Sequence, residues 1–332
     1  MLLHASITRT SAYQQSTELS SGSPESLFLD LPPERITNTS GQTMLMLAAY
    51  AGHTEICRLL LSDNRWGTRA LVEAKDAVYR WTALHHAAAQ GHSDIVSLLL
   101  DFTETRTQLA GVCSFRSLRC EPDEHGRTAL MLAAQNNHGE VVRLLLSPVS
   151  PMRSPRLSPR KMPISSPTIC EDRYRINAAD VYGRTALHRA IANGHVECAK
   201  LLLAHGGDPS ARDFRGRHAL HMAATGGRTA TLALLVSHIT EQLKVKDEVL
   251  DGATASDSLQ PLDEYGFTPL HFAAYRGHLE CLKLLLNCAC YNRLRCMLTT
   301  PMSWLDLRHI FEQMPGLQQT GKDSKVFGRT FT

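Results

Sequence analysis

The chain has 332 residues, 43% hydrophobic and 20% charged, a composition typical of a folded globular protein rather than a disordered one. Its formal net charge of +3 is small and gives no reason to expect nucleic-acid binding. No stretch reaches the ~18 consecutive apolar residues of a membrane-spanning helix, so membrane insertion is not expected. The start Met1-Leu2-Leu3 turns polar at His4, which argues against a signal peptide. We therefore expect a cytoplasmic location, with the nucleus as the alternative, and reduced cysteines.

Residues 1–37 are rich in serine and threonine and include Pro24, Pro32 and Pro33. Such a segment buries too little apolar surface to offset the entropy lost on ordering, so we expect most of it to be disordered. The short run Leu27-Phe28-Leu29 predicts either a cap on the structure that follows or the remnant of another repeat.

One pattern recurs six times between residues 38 and 287. A Thr-x-Leu-His-type helix start is followed by an alanine pair, a Gly-His pair and a run of leucines, in segments 41–61, 80–100, 126–146, 183–203, 216–236 and 266–286. This pattern is identified as the ankyrin repeat. The resemblance implies an all-α fold, an ankyrin-repeat solenoid of six helix-turn-helix repeats with long loops between them.

The physical role of each position is clearest in residues 180–207. Asp180 and Gly183 have turn chemistry, and Thr185 is placed to cap the first helix. Asn193-Gly194 ends that helix, because these residues adopt the left-handed conformation readily. The leucines at 201–203 cover about 200° of the second helix and cannot all be buried on one side, which favours a stack of repeats over a single one.

The spacing of the repeats predicts insertions. Thr185 and His218 are separated by the ankyrin period, but the other intervals are longer, and the excess falls after the leucine run. The insert at 147–178 carries five Ser-Pro pairs, with three arginines and a lysine between them. It is either a flexible linker or a regulatory segment whose Ser150, Ser154 and Ser158 are phosphorylated by proline-directed kinases.

The pattern ends at residue 287, and residues 288–332 form a tail outside the array. Trp304, Leu307, Ile310, Phe311 and Met314 have helical spacing and predict a helix near 302–314. We expect this helix to cap the last repeat; the alternative is a partner-binding helix.

Most histidines occur in two columns of the repeat, which argues against catalysis. One column holds the histidines of the Thr-x-Leu-His start, namely His85, His188, His221 and His271. The other holds those of the Gly-His pair, namely His53, His92, His138, His195 and His278. A catalytic histidine needs a single site with an orienting partner, so we expect periodic histidines to make structural hydrogen bonds. No catalytic site, metal site or cofactor is expected.

The remaining candidates lie at the turn tips, where ankyrin stacks present a concave face to partners. Aligning the turns places large side chains in two columns. Tyrosine, tryptophan and arginine are enriched at binding hot spots, so these columns are predicted to bind a partner. The alternative is that any large polar residue serves at a solvated tip. The predicted partner-binding residues are Tyr79, Trp81, His125, Tyr182, Arg215, Tyr265 and Phe267.

Two stretches resemble a particular family beyond the generic repeat. GRTALHRAIANGHVECAKLLLAHGGDPSARDFRGRHALHMAA (183–224) and DEYGFTPLHFAAYRGHLECLKLLL (263–286) are similar to repeats of the regulatory ankyrin-repeat subunits of serine/threonine-protein phosphatase 6. The resemblance implies a scaffold that brings a phosphatase catalytic subunit to its substrates. That family has a longer array than six repeats.

The sequence therefore predicts a protein-protein interaction scaffold and no enzymatic activity. The leading specific role is a regulatory or targeting subunit of a phosphatase. The alternatives are a substrate-recognition adaptor of a ubiquitin ligase and an ankyrin fragment of a larger signalling enzyme. The oligomeric state is left open.

Overall fold

A computed structural model describes residues 33–63, 67–110, 118–147, 176–246 and 261–287 of the chain. Within these ranges the regular elements are helices, which confirms the predicted all-α repeat. The chain divides into two compact units: Met1–Ala190 with Glu197–Asp208, and Ile191–Val196 with Pro209–Thr332. Residues 1–32 of the predicted N-terminal segment, residues 148–175 of the predicted insert and the whole predicted tail, 288–332, lie outside the described residues.

The first unit contains the first three helix pairs and most of the fourth. Its helices are α1 (Met44–Ala51), α2 (Thr54–Ser62), α3 (Arg69–Glu73), α4 (Ala83–Gln90), α5 (Ser93–Ala110), α6 (Ala129–Gln135) and α7 (Gly139–Leu146). Short 3₁₀ turns occur at Pro33–Arg35 and Leu118–Cys120. The fourth pair, α8 (Ala186–Asn193) and α9 (Val196–Ala204), is divided between the units.

The second unit contains the fifth and sixth pairs. Its helices are α10 (Ala219–Thr225), α11 (Thr229–Lys246), α12 (Pro269–Arg276) and α13 (Leu279–Asn287). In every repeat except the fourth, which is divided between the units, a first helix of seven or eight residues packs against the second helix that follows it.

Consecutive repeats pack in two layers. In the first unit α1, α4 and α6 contact one another in sequence, and α2, α5 and α7 do the same. In the second unit α10 contacts α12 and α11 contacts α13. The alanine pairs of α1, α4, α6 and α10 are buried, and the small side chain lets neighbouring helices approach closely. In the second to sixth repeats the middle leucine of the run, represented by Leu99, Leu202 and Leu285, is buried, as the predicted stack requires. Its equivalent in the first repeat, Leu60, is half-buried.

The structure refines the prediction of long loops between repeats. The second helices α5 and α11 each have 18 residues, whereas α2, α9 and α13 have nine. Part of the additional length in the second and fifth repeats is therefore a helical extension. The insertion after α2 includes α3, whose Leu71 and Val72 are buried and which contacts α4 and the 3₁₀ turn. Insertions after the leucine run can thus add ordered structure without interrupting local packing.

Candidate protein-binding surface

In the second to sixth repeats an aspartate at the start of the turn fixes the backbone of the tip, and Asn38 has this place in the first repeat. Asp123 Oδ1 accepts hydrogen bonds from the backbone N–H groups of His125 and Arg127, at 2.9 and 2.7 Å. Burial alone would raise the pKa of Asp123, but hydrogen bonds from the Arg127 backbone, the Arg127 side chain and Trp81 hold it below its ordinary value. Asp180, Asp213 and Asp263 make the same two backbone bonds in their repeats.

The second repeat has the same turn with one additional residue. Asp76 Oδ1 accepts from the backbone N–H groups of Tyr79 and Trp81, both at 2.9 Å. Arg80 stands where the other turns have glycine and has a positive φ of 56°. The aspartate therefore holds this tip in spite of the longer turn and the unfavourable residue.

Within each unit, backbone hydrogen bonds connect neighbouring tips. In the first unit the carbonyl of Tyr79 accepts from Glu124 N–H, and the carbonyl of His125 accepts from Val181 N–H. In the second unit the carbonyl of Arg215 accepts from Glu264 N–H. Arg215 thus makes the equivalent bond within the second unit, and the predicted column residues Tyr79 and His125 lie at equivalent positions of one ladder within the first unit. Side chains placed on this ladder are held at fixed separations, which favours recognition by a rigid surface.

In the first unit the predicted residues are only partly brought together. Tyr79 is 48% exposed, and its ring lies 5.6 Å from the ring of Trp81. Trp81 is half-buried: its Nε1 donates to Asp123 Oδ2 of the next repeat, and the Arg127 guanidinium lies 5.7 Å from its ring centroid. Tyr182 is 54% exposed, and the Arg184 guanidinium lies 5.5 Å from its ring centroid. Part of Trp81 is therefore used in a contact with the third repeat, whereas Tyr79 and Tyr182 are exposed and accessible to a partner.

In the second unit the exposed side chains are more apolar. Tyr265 is 70% exposed, and Phe267 and Arg215 are also exposed. The Phe267 ring lies 6.1 Å from the ring of Phe272 on α12. Phe214, in the same turn as Arg215, is 74% exposed. This tip surface resembles a binding hot spot in composition, with aromatic rings beside an arginine.

Sequence reasoning missed the first-helix residues that lie seven positions after the capping threonine. Tyr50 on α1 and Tyr275 on α12 are both more than half exposed. The Tyr50 ring lies 6.0 Å from His86, whose ring lies 5.1 Å from Trp81. A chain of ring contacts therefore joins the first helix of repeat one to the tip of repeat two. The sequence signal that could have identified them is a tyrosine directly after the alanine pair of the first helix.

The histidines of the Thr-x-Leu-His start are structural, as predicted. His85 Nδ1 accepts from Thr82 N–H at 3.2 Å, so the proton is on Nε2, which donates to the carbonyl of Arg127 at 3.3 Å. His221 makes the equivalent bond to the carbonyl of Phe267 at 3.0 Å. Burial lowers the pKa of His85 to about 4 and also lowers the pKa of His221. These neutral rings bond one repeat to the next.

The histidines of the Gly-His pair bridge repeats in the other direction. Nε2 of His92, His138 and His278 donates to a carbonyl near the end of the preceding first helix, in Tyr50, Ala89 and Thr225 respectively, at 3.0 to 3.2 Å. Such carbonyls have no partner within their own helix. In the fifth repeat Arg228 replaces the histidine and its Nε donates to the carbonyl of Ala192.

His86 differs from these columns. It is buried, and Nε2 lies 3.3 Å from Asp76 Oδ2, although the two atoms are not aligned for a hydrogen bond. In the fourth repeat the equivalent position is Arg189, which donates to Asp180. Burial lowers the pKa of His86, while Asp76 opposes the shift. The ring therefore fills the space beneath Tyr50 and Trp81 in a neutral state.

The proposed phosphorylation sites Ser150, Ser154 and Ser158 lie outside the described residues and stay predictions. Within the residues that the structure describes, no group of three or more His, Cys, Asp or Glu side chains could hold a metal ion. In the same part of the chain, no helix is both long and apolar enough to cross a membrane.

Comparison with known proteins supports the repeat. The chain matches the family model described as Ankyrin repeats (3 copies) over residues 20–108, 73–154, 168–247 and 212–296. It is 31% identical to a probable E3 ubiquitin-protein ligase of Oryza sativa subsp. japonica over 262 residues, which are 78% of this chain and 40% of that protein. It is also 31% identical to an E3 ubiquitin-protein ligase of Arabidopsis thaliana over 205 residues, 61% of this chain and 28% of that protein.

A vertebrate relative shares a shorter region. Inversin of Danio rerio is 37% identical over 91 residues, which are 27% of this chain and 7% of inversin. The chain thus spans less than half the length of the curated relatives that it matches. The resemblance to phosphatase 6 subunits gains no support from these relatives.

Proposed function

Because the chain belongs to the ankyrin-repeat family, we propose that it is a protein-binding scaffold whose contacts are made by the turn tips and the exposed face of the first helices. The observation that carries the proposal is the contrast between backbone and side chains at the tips. The backbone is fixed by aspartates and by bonds between repeats, while Tyr79, Tyr182 and Tyr265 project into solvent.

The tyrosines are suited to binding for an energetic reason. A tyrosine has two side-chain torsions, so a partner that covers it loses little conformational entropy. Covering the exposed half of Tyr182 would remove on the order of 100 Å² from water, a contribution of about 2–3 kcal/mol at ~25 cal/mol per Å² before costs. Several equivalent tips would therefore supply enough free energy for a specific complex.

The scaffold contributes binding rather than catalysis in this proposal. The histidines that sequence alone might assign to catalysis are neutral and bonded to backbone carbonyls between repeats, as His85 and His221 illustrate. The ankyrin repeat is itself a non-catalytic interaction module. Any enzymatic chemistry associated with this chain would then come from a separate domain or partner.

The more specific role that we favour is recognition of substrates for a ubiquitin ligase. Two relatives are named E3 ubiquitin-protein ligases, one of them as probable, and each match covers more than half of this chain. On this proposal the tips select the protein to be modified. Targeting of a phosphatase catalytic subunit is the competing role, and it depends on the resemblance of residues 183–224 and 263–286 alone.

Affinity purification followed by mass spectrometry tests both levels of the proposal. The wild-type chain is compared with the Tyr79→Ala, Tyr182→Ala double variant and with Leu279→Ala, a control that removes a similarly exposed apolar residue from α13. We expect specific partners to be lost from the double variant and retained by the control, at unchanged melting temperature. Partners retained equally by all three proteins would contradict the tip surface of the first unit.

The identity of the captured proteins distinguishes the roles. Ubiquitin-ligase components that depend on the intact chain, with substrates that depend on the two tyrosines, would support the recognition role. A phosphatase catalytic subunit would support the targeting role instead. Reproducible absence of both would contradict both specific roles and leave only the scaffold.

A further inference from the structure

The first repeat exposes apolar side chains at positions that are covered in every other repeat. Ile56 on α2 is 46% exposed, and Leu59, one helical turn further on, is 68% exposed. The residues equivalent to Ile56 are all buried, namely Ile95, Val141, Cys198, Thr231 and Cys281. Met44 on α1 is also exposed, whereas its equivalents are buried, namely Ala83, Ala129, Ala186, Ala219 and Pro269.

Packing within the units explains the difference. The second helix α5 contacts α2 of the repeat before it, and α13 contacts α11 in the same way. The column that begins with Ile56 is thus the one that meets a preceding second helix. Among the described residues α2 has no such helix before it, so Met44, Ile56 and Leu59 form an open apolar face, which we call the entry face.

The chain directly upstream of α1 is held against the first repeat. Thr37 pairs with Thr43 in an isolated antiparallel bridge, and Asn38 Oδ1 accepts from the backbone N–H groups of Ser40 and Gln42. The 3₁₀ turn Pro33–Arg35 contacts α3. Whatever precedes residue 33 therefore starts beside the first repeat rather than far from it.

The sequence before residue 33 has apolar residues at the distance from the capping position that a leucine run has in another repeat. Phe28 precedes the capping Thr43 by 15 positions, and Leu203 precedes His218 by the same number. Leu203 belongs to the leucine run of a second helix and is buried. Leu27 and Phe28 are thus placed as Leu202 and Leu203 are, whereas Leu29 follows the run by one position, and the family match itself begins at residue 20.

We propose that residues 20–32 cover the entry face and serve as the N-terminal cap of the array, with Leu27, Phe28 and Leu29 supplying the apolar contacts. The proposal concerns an intramolecular contact and does not depend on what the turn tips bind. Covering Ile56 and Leu59 removes apolar surface from water, which stabilises the first repeat. Terminal repeats of a solenoid need such a cover because they have a neighbour on one side only.

Two matched pairs of substitutions in the full chain test the cap. Ile56→Asp is compared with Leu279→Asp, since Leu279 is 52% exposed in another second helix. Phe28→Asp is compared with Tyr13→Asp, which lies upstream of the proposed cap. Thermal unfolding is measured by circular dichroism, and hydrogen exchange is measured at the backbone amides of α1 and α2.

We expect Ile56→Asp and Phe28→Asp each to lower the melting temperature by roughly 4–8 °C and to accelerate exchange in α1 and α2. The two controls are expected to leave both quantities unchanged. The Phe28→Asp, Ile56→Asp double variant is expected to lose less than the sum of the two single losses, because both changes break one contact.

Three results would overturn the proposal. If Ile56→Asp changes the melting temperature and hydrogen exchange as little as Leu279→Asp does, the entry face is open to water. If Ile56→Asp lowers the melting temperature and Phe28→Asp does not, another segment covers the face. A concentration-dependent dimer that Ile56→Asp dissociates, measured by sedimentation, would show that a second copy of the chain is the cover.

Discussion

Acidification should destabilise the repeat array through His85, and the size of the effect follows from its surroundings. The ring is fully buried, accepts a hydrogen bond from Thr82 N–H at Nδ1 and donates from Nε2 to the Arg127 carbonyl. A second proton on Nδ1 would break the first bond and bury a charge. Burial therefore lowers the pKa of His85 from 6.5 to about 4 in the folded protein.

The direction of the effect follows from the protons bound in each state. Between pH 4 and 6.5 the unfolded chain carries a proton on His85 and the folded chain does not, so the free energy of unfolding falls as the pH falls through this window. The contribution is complete above pH 6.5. At pH 5 the loss is about 2 kcal/mol, and it approaches ~3 kcal/mol at pH 4, since each pKa unit corresponds to ~1.4 kcal/mol. The lowered pKa values of His86 and His221 act in the same direction.

Urea unfolding at a series of pH values measures this dependence, with His85→Gln as the variant. Glutamine retains a donor and an acceptor but does not titrate, so its overall stability is expected to be lower and its change between pH 7 and 5 smaller by about 2 kcal/mol than that of the wild type. His53→Gln, at an exposed position of the first repeat, serves as control and should keep the wild-type slope. An unchanged slope in His85→Gln would refute the assignment of a neutral, buried ring.

Three further outcomes follow from the described contacts. Gly91→Ala should lower the free energy of unfolding by about 2 kcal/mol or more, because φ is +84° and a Cβ would lie 2.4 Å from His138 Nδ1; chemical denaturation checks this, and a neutral effect would contradict the close packing. Alkylation at pH 8 should be much slower at Cys57 than at Cys120, since burial raises the pKa of the Cys57 thiol to about 11 while Cys120 is half-buried, and equal rates by mass spectrometry would be inconsistent with this. Asp213→Ala should cost about 2–3 kcal/mol by removing the acceptor of two backbone bonds and the partner of a guanidinium, and a loss below ~0.5 kcal/mol in urea unfolding would argue against the turn role.

The part of the fold that could be predicted is the part that depends on local hydrogen bonds and on the apolar pattern. Thr82 and His85 are three positions apart, and Asp123 and Arg127 are four, so a short sequence window contains both members of each contact. The helix pairs, the turns and the structural role of the histidines were therefore accessible. The tip residues were accessible as a column, although nothing yet tests whether they bind.

Contacts between repeats were less accessible because insertions of variable length separate their members. The second unit's His278 reaches the carbonyl of Thr225 across 53 positions, and Trp81 reaches Asp123 across 42. The sequence gives no direct measure of such pairings. The resemblance to phosphatase subunits illustrates a different limit, since ankyrin repeats of unrelated function share most of the residues that define the fold.

The amino-acid sequence by itself determined the repeat, its two helices, its turn and the boundaries of its leucine runs, because these follow from periodicity and capping within about 30 residues. Only the tertiary structure decided that Trp81 also bonds to the next repeat, that Tyr50 joins the exposed aromatic surface, and that Ile56 is exposed where its equivalents are buried. The physical reason is that exposure is a property of neighbours: the same apolar residue is buried or open according to what lies against it.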